Sequence, residues 1–186
     1  MNIRVVDVQR RDPQAHANSA ARAAWMGGGL VPLSACDPRL PSRGRAAAAD
    51  TFRRLEDRQF LEMGCAFEGQ GGWVGGDEMA RRMRHHWEQP ISVLARWIVE
   101  RRIVNIAWHS QILIPAFQFS SDDMRIRPVV SAALAELRGV FDDWEIAMWF
   151  AQPNAWLHEQ RPTDLAARGD VIVIGAARTD RFIARG

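Results

Sequence analysis

The sequence predicts a mainly α-helical protein with one small hairpin-containing module, and three observations predict it. Prolines, glycines and capping residues fall where helices of ordinary length would start and stop, at Ser92, Pro128, Asp142, Pro153, Pro162 and Gly169. Two short runs of strand character, Ile103-Val104-Asn105-Ile106-Ala107-Trp108 and Ile112-Leu113-Ile114, are parted by the polar turn His109-Ser110-Gln111. The first 50 or so residues, by contrast, are Ala-rich and broken by Gly27-Gly28-Gly29, Pro32, Pro38 and Pro41, the punctuation of a loosely structured arm.

Composition sets the outer bounds. The chain has 186 residues, 47% hydrophobic and 25% charged, with a formal net charge of +2 and a pI near 9.0. A globular chain of this size buries about 70% of its unfolded surface, so neither metal nor disulfide is needed to hold it together. There is no lysine and no tyrosine, so every one of the 24 basic side chains is an arginine. That excludes Schiff-base and P-loop lysine chemistry, and GC-rich coding is the favoured explanation for the choice of Arg. Cys36 and Cys65 are far apart and form no CxxC or zinc spacing. With no apolar stretch of signal-peptide length at the N-terminus and no window near 20 apolar residues, a cytoplasmic location and no membrane partner are expected.

Taken in order, residues 3–8 alternate enough for one strand, and the arm that follows carries Arg39, Arg43 and Arg45. A helix is expected over residues 46–63. The cluster Gly69-Gln70-Gly71-Gly72 marks a boundary, dividing an N-terminal part (1–70) from a central module (71–119). Gly76-Asp77-Glu78 starts a helix, with its acids against the positive end of the dipole, and Gln89-Pro90 breaks it. Ser92 N-caps a second helix that runs to Arg102. Helix, short connection, helix, hairpin is the order of a small winged helix-turn-helix. The last part (120–186) is helical: Pro128 opens a helix over 129–138 with Gly139 as its cap, Asp142 and Glu145 form a capping box, Pro153 ends that helix, Pro162 and Gly169 bracket a third, and Asp170 starts a fourth. The β-branched run Val171-Ile172-Val173-Ile174 pulls against that last assignment.

Few constellations suggest catalysis. Asp122-Asp123 and Asp142-Asp143 with Glu145 are paired carboxylates, but each lies at a turn or helix start where acids serve as caps. His85-His86, His109 and His158 lack metal-ligand spacing. No catalytic residue, metal or cofactor is expected. The arginines of the central module say more: Ser92, Arg96 and Glu100 share one helix face opposite Leu94, Trp97 and Ile98. Ser92, Arg96, Arg101, Arg102, Arg81 and Arg82 are therefore the DNA-binding candidates, Arg96 being able to read guanine bidentately or simply to pair with Glu100. By zone, arginines against acids number 10 to 8 for residues 1–69, 6 to 4 for 70–119 and 8 to 10 for 120–186. Trp144, Trp149, Phe150 and Trp156 are core residues in the main, any at the surface suiting a protein interface.

Five blocks in the last part carry a family pattern: Ile114-Pro115-Ala116-Phe117-Gln118-Phe119; Asp143-Trp144-Glu145-Ile146-Ala147-Met148-Trp149-Phe150; Gln152-Pro153-Asn154-Ala155-Trp156-Leu157; Arg161-Pro162-Thr163-Asp164-Leu165; and Gly169-Asp170. In that order they resemble the toxin-binding domain of the MbcA/ParS/Xre antitoxins, over roughly residues 112–183. The resemblance implies a helical toxin-binding domain that occupies the active-site cleft of a RES-domain, NAD-consuming toxin, and an N-terminal part through which the complex represses its own operon. Here residues 73–119 look more like an excisionase-like or MerR-like winged helix than the family's usual five-helix bundle. Gln160 replaces a second basic residue, and Ala166-Ala167 replaces the usual Leu. The toxin-contacting candidates are Trp156, Arg161 and Asp164, of which Asp164 also braces its turn, and Arg178, Arg181 and Arg185 on the last helix.

Three functions follow as expectations: an antitoxin that binds a RES-domain toxin and operator DNA, as a homo-oligomer or hetero-complex; a DNA-binding regulator with no cognate toxin; and, on the acidic pairs and histidines alone, an enzyme.

Overall fold

The computed structural model describes residues 42–186, with side chains from Asp50 onward. The strand expected at residues 3–8 and the arm as far as residue 41 lie outside the described residues. Chain contacts divide the protein between Leu55 and Glu56. The first unit contributes the opening turns of helix α1 (Ser42–Glu68), which carry an exposed Asp50–Arg54 ion pair at 2.7 Å. Everything that follows belongs to the second unit. The described part of the chain is mainly helical, with seven α-helices and one three-stranded antiparallel sheet.

Helix α1 is longer at both ends than the expected 46–63. Its last turns bury Met63, Ala66 and Phe67, and the carbonyl of Phe67 accepts from the amides of Gln70 and Gly72 as the chain turns out of the helix. Gly71 and Gly72 make that turn at φ of 93° and 65°, left-handed backbone that favours glycine. The glycine cluster is thus a helix terminus. It leads straight into β1 (Trp73–Gly75), a three-residue strand with too little pattern to be read from sequence.

Helices α2 (Gly76–Met83) and α3 (Pro90–Val99) come next, then β2 (Ile106–Trp108) and β3 (Gln111–Pro115). Proline does not interrupt before α3; it occupies the first turn, where its missing N–H has no helical partner anyway, and Gln89 is the N-cap. Ser92 therefore lies inside the helix and caps nothing. At the other end the amide of Arg101 bonds to the carbonyl of Ile98 and that of Arg102 to Trp97. Arg101 sits at φ 53°, so the expected run to Arg102 stops at a Schellman turn whose left-handed position holds Arg where Gly is usual.

The sheet order is β1-β3-β2, with Val74 opposite Ile114 and Trp108 opposite Gln111. His109 and Ser110, at φ of 43° and 66°, form the two-residue turn that matches hairpin twist. The strand expected from residue 103 starts only at Ile106. A buried side chain takes the place of a strand neighbour: Gln118 Oε1 accepts from the Val104 amide, and its Nε2 donates to the carbonyls of Val104 (2.9 Å) and Pro115 (3.1 Å).

The remaining helices are α4 (Pro128–Leu137), α5 (Asp143–Ala151), α6 (Pro162–Ala167) and α7 (Ile172–Arg185). The Asp142–Glu145 capping box forms, with bonds of 2.8 and 2.9 Å. Gly139 is not the left-handed cap of α4; Arg138 is the C-cap. A Cβ on Gly139 would meet the Arg185 guanidinium at 2.9 Å, so the glycine makes room for a side chain. The β-branched start of α7 is helical after all, because Val173, Ala176 and Ala177 bury at helical spacing.

Two apolar clusters fill the second unit. One holds Val74, Met79, Ala80, Met83, Leu94, Trp97, Ile103, Ile114 and Phe119. The other draws Met63, Ala66 and Phe67 from α1, Val104 and Phe117 from the middle of the chain, and the inner faces of α4 to α7. It spans the expected divisions at residues 70 and 119, so the end of α1 packs with the C-terminal helices. Each fully buried Phe, Ile or Met contributes roughly 1.5–3 kcal/mol by leaving water. Among the described residues no helix is long and apolar enough to cross a membrane.

Candidate functional site

Asp180 is a carboxylate only 8% exposed, in the inward stripe of α7 with Val173, Ala176 and Ala177. A buried charge is costly unless its oxygens are satisfied. Three N–H groups satisfy this one: Trp149 Nε1 donates to Oδ2 at 2.7 Å, Asn154 Nδ2 to Oδ2 at 2.8 Å and Trp156 Nε1 to Oδ1 at 2.9 Å. No ion pair among the described residues reaches it. Asn154 also caps the short 3₁₀ turn Ala155–Leu157 by accepting from the Trp156 amide at 2.9 Å. The Pro-Asn-Ala-Trp block is therefore fastened to α7 through one carboxylate. Asp180 went unnoticed in the sequence, although an acid in register with Val173, Ala176 and Ala177 was a readable signal.

With its N–H edge held, the Trp156 ring remains 51% exposed. Val171, the N-cap of α7, and Ile172 and Phe182 within it, the last 76% exposed, lie on one helical face with Gly175, Arg178 and Thr179. Exposed apolar residues gathered on one face mark an interaction surface more often than scattered ones. The arginines beside it are less free than expected. Arg178 Nε and Arg181 Nη1 both reach Glu136 of α4, at 3.1 and 2.6 Å, and the Arg185 guanidinium lies over Gly139. Arg178 and Arg181 thus brace α7 against α4.

Arg161 and Asp164 fall elsewhere, in an open polar groove of about 580 Å³ lined also by Gln70, Pro153, Glu159, Gln160 and Arg168. The chain leads into it through His158 and Glu159, at φ of 54° and 60°, and Arg168 Nη2 donates to Gln160 Oε1 at 3.1 Å. The toxin-contacting candidates therefore divide into Trp156 with the α7 arginines and Arg161 with Asp164.

The DNA-binding candidates also separate. Ser92, Arg96 and Arg102 are exposed. Arg81 and Arg82 both bond to Glu78, at 2.7 and 3.0 Å; the hydrogen bond from Arg82, then the charge of Arg81, hold the Glu78 carboxyl below its usual range. Arg101 Nη2 lies 3.6 Å from Asp143 at the start of α5. Burial pushes the Asp143 carboxyl up, and Arg101 and Arg138 pull it back only in part. Burial also draws Arg138 down to about 10, while its Nη2 donates to the Ile103 carbonyl at 2.8 Å.

The hairpin is pinned at the turn end of β2. Trp108 stacks on Phe60 of α1 (centroids 4.3 Å apart) and on Trp144 of α5 (5.8 Å), and Phe60 stacks in turn on Trp73 (5.6 Å). Trp144 Nε1 donates to Gln59 at 3.1 Å. The tip, His109-Ser110-Gln111, is exposed, as is Ala107 of β2. Among the described residues no three His, Cys, Asp or Glu side chains gather where a metal ion would be held. No family model, no curated protein and no solved structure matches the chain.

Proposed function

We propose that this protein is an antitoxin-like protein that neutralises a RES-type, NAD-consuming toxin and represses its own operon by binding DNA. The observation that carries the proposal is the exposed apolar face of α7 together with the half-exposed Trp156, which Asp180 ties to the same helix. Its supports are internal: the Asp180 carboxylate fixes Trp156, and the Glu136 ion pairs fix the helix, so the face is presented without ordering cost at the moment of binding. The blocks that resemble the antitoxin family supply this machinery, Gln118 bracing the backbone and Trp149, Asn154 and Trp156 converging on one carboxylate. Co-expression with the product of the neighbouring reading frame is expected to yield a stable complex, preserve the NAD pool and rescue growth. A neighbour with no RES domain, together with no rescue, overturns the proposal.

The DNA-binding half rests on the central elements, which we read as a winged helix-turn-helix. The order α1-β1-α2-α3-β2-β3 with sheet order β1-β3-β2 supports that reading, α3 being the recognition helix and Arg102 a phosphate contact. The same observation favours the second reading, a regulator with no cognate toxin. A gel shift on its own promoter that weakens steeply with salt supports DNA binding; no shift at low salt removes both uses of DNA.

A further inference from the structure

The outward face of α3 carries an unusual mixture. Ile91 (52% exposed), Ser92, Ala95, Arg96 and Val99 (81% exposed) share the exposed side of the helix, linked by spacings of three and four residues. Along the helix axis Arg96 falls between the exposed aliphatic residues Ile91 and Val99, and among the described residues it makes no ion pair, even with Glu100 one turn on. The helix that presents this stripe is held at both ends, by Pro90 at its first turn and the Schellman turn at Arg101, and its inner side is anchored by Leu94 and Trp97.

Resting on the DNA-binding half of the proposed function, we infer that α3 reads thymine methyl groups on either side of a guanine. Ile91 to Val99 spans about 12 Å along the helix, the reach of roughly three to four base pairs at 3.4 Å each. Within that length the major groove offers two chemistries that this stripe matches. Guanine presents O6 and N7 as paired acceptors for a guanidinium, and thymine presents a C5-methyl that only an apolar group rewards. Exposed Arg84 and Arg102, at the end of α2 and just beyond α3, supply positive charge for the flanking phosphates. That charge makes a nucleic acid the fitting occupant of an aliphatic face that would otherwise suit a protein.

The test uses the full chain and a duplex pool with a randomised centre. Selection is expected to enrich a guanine with thymines within four base pairs of it. Replacing those thymines by deoxyuridine keeps every hydrogen bond and removes only the methyls, and is expected to weaken binding about fourfold per methyl, the value of one buried methyl-sized group. Ile91→Ala and Val99→Ala are each expected to abolish that dependence at one flank while leaving the salt slope intact. Arg96→Ala should relax the guanine preference, and Leu61→Ala, an exposed aliphatic on α1, should change nothing. Selected duplexes that bind equally well with deoxyuridine overturn this inference and leave DNA binding standing. Retention of no duplex at low salt overturns both, and a self-associating chain made monomeric by Val99→Glu assigns the face to a second copy instead.

Discussion

Trp156 donates its indole N–H to Oδ1 of Asp180 at 2.9 Å, across 24 residues of sequence, and keeps half of its ring surface in solvent while doing so. The indole N–H and the main-chain amide of Trp156 are structural, and its exposed half is available to a partner.

Removing Asp180 should therefore unbalance three donors at once. Asp180→Ala strands the N–H groups of Trp149, Trp156 and Asn154, of which the first is buried, and is expected to lower stability by about 3 kcal/mol. Asp180→Asn retains an oxygen for part of the set and should cost roughly half of that. Urea unfolding monitored by tryptophan fluorescence gives both values; a fully stable alanine variant would show the cluster to be ornamental.

The α7 face separates binding from stability. Phe182→Ser removes an exposed ring and should change stability by no more than about 0.5 kcal/mol. It is expected to reduce toxin capture by tenfold or more in a pull-down with the purified pair, since exposed aromatics dominate interfaces. Equal capture by the variant and the parent would move the interface off α7.

Asp143 should make stability fall as pH rises. Its carboxyl is raised in the folded protein, so above the ordinary aspartate range, near 4, the folded chain holds a proton that the unfolded chain has released. Stability from this group is present in full below that range and lost as pH climbs through the raised value. Asp143→Asn removes the titration, and its stability relative to the parent is expected to grow between about pH 4 and pH 7. Thermal melts of the two proteins across that range test the slope.

Gln118 holds the start of the hairpin through three hydrogen bonds to backbone. Gln118→Leu keeps the volume but leaves the Val104 amide buried without a partner, and is expected to cost about 2–4 kcal/mol. Hydrogen exchange should show the Val104 amide losing protection before those of α4.

Much of the helical outline was legible because its causes are local. Pro128, Asp142, Pro153 and Pro162 act within a turn of themselves, and each marks a helix end where it was read. The errors were local too, but turned on competing uses of one residue: Pro90 opens α3 instead of breaking α2, which has already ended at Met83, Ser92 is an ordinary helical residue, and Gly139 is small so that Arg185 can lie over it. The site was half legible. Trp156 and Arg96 were picked out and are exposed, whereas the pairing of Arg178 and Arg181 with Glu136, 42 and 45 residues away, left no local signal in the sequence.

The sequence by itself determined the mainly helical class, the hairpin and the order of elements, since capping, proline geometry and apolar spacing act over a few residues. Only the tertiary structure decided that β1 completes the sheet, that Trp73, Phe60, Trp108 and Trp144 stack in series, and that three donors meet on Asp180. Those relationships join residues far apart in the chain, and a buried charge or an aromatic face finds its partner only once the folded backbone has brought them within a few ångströms.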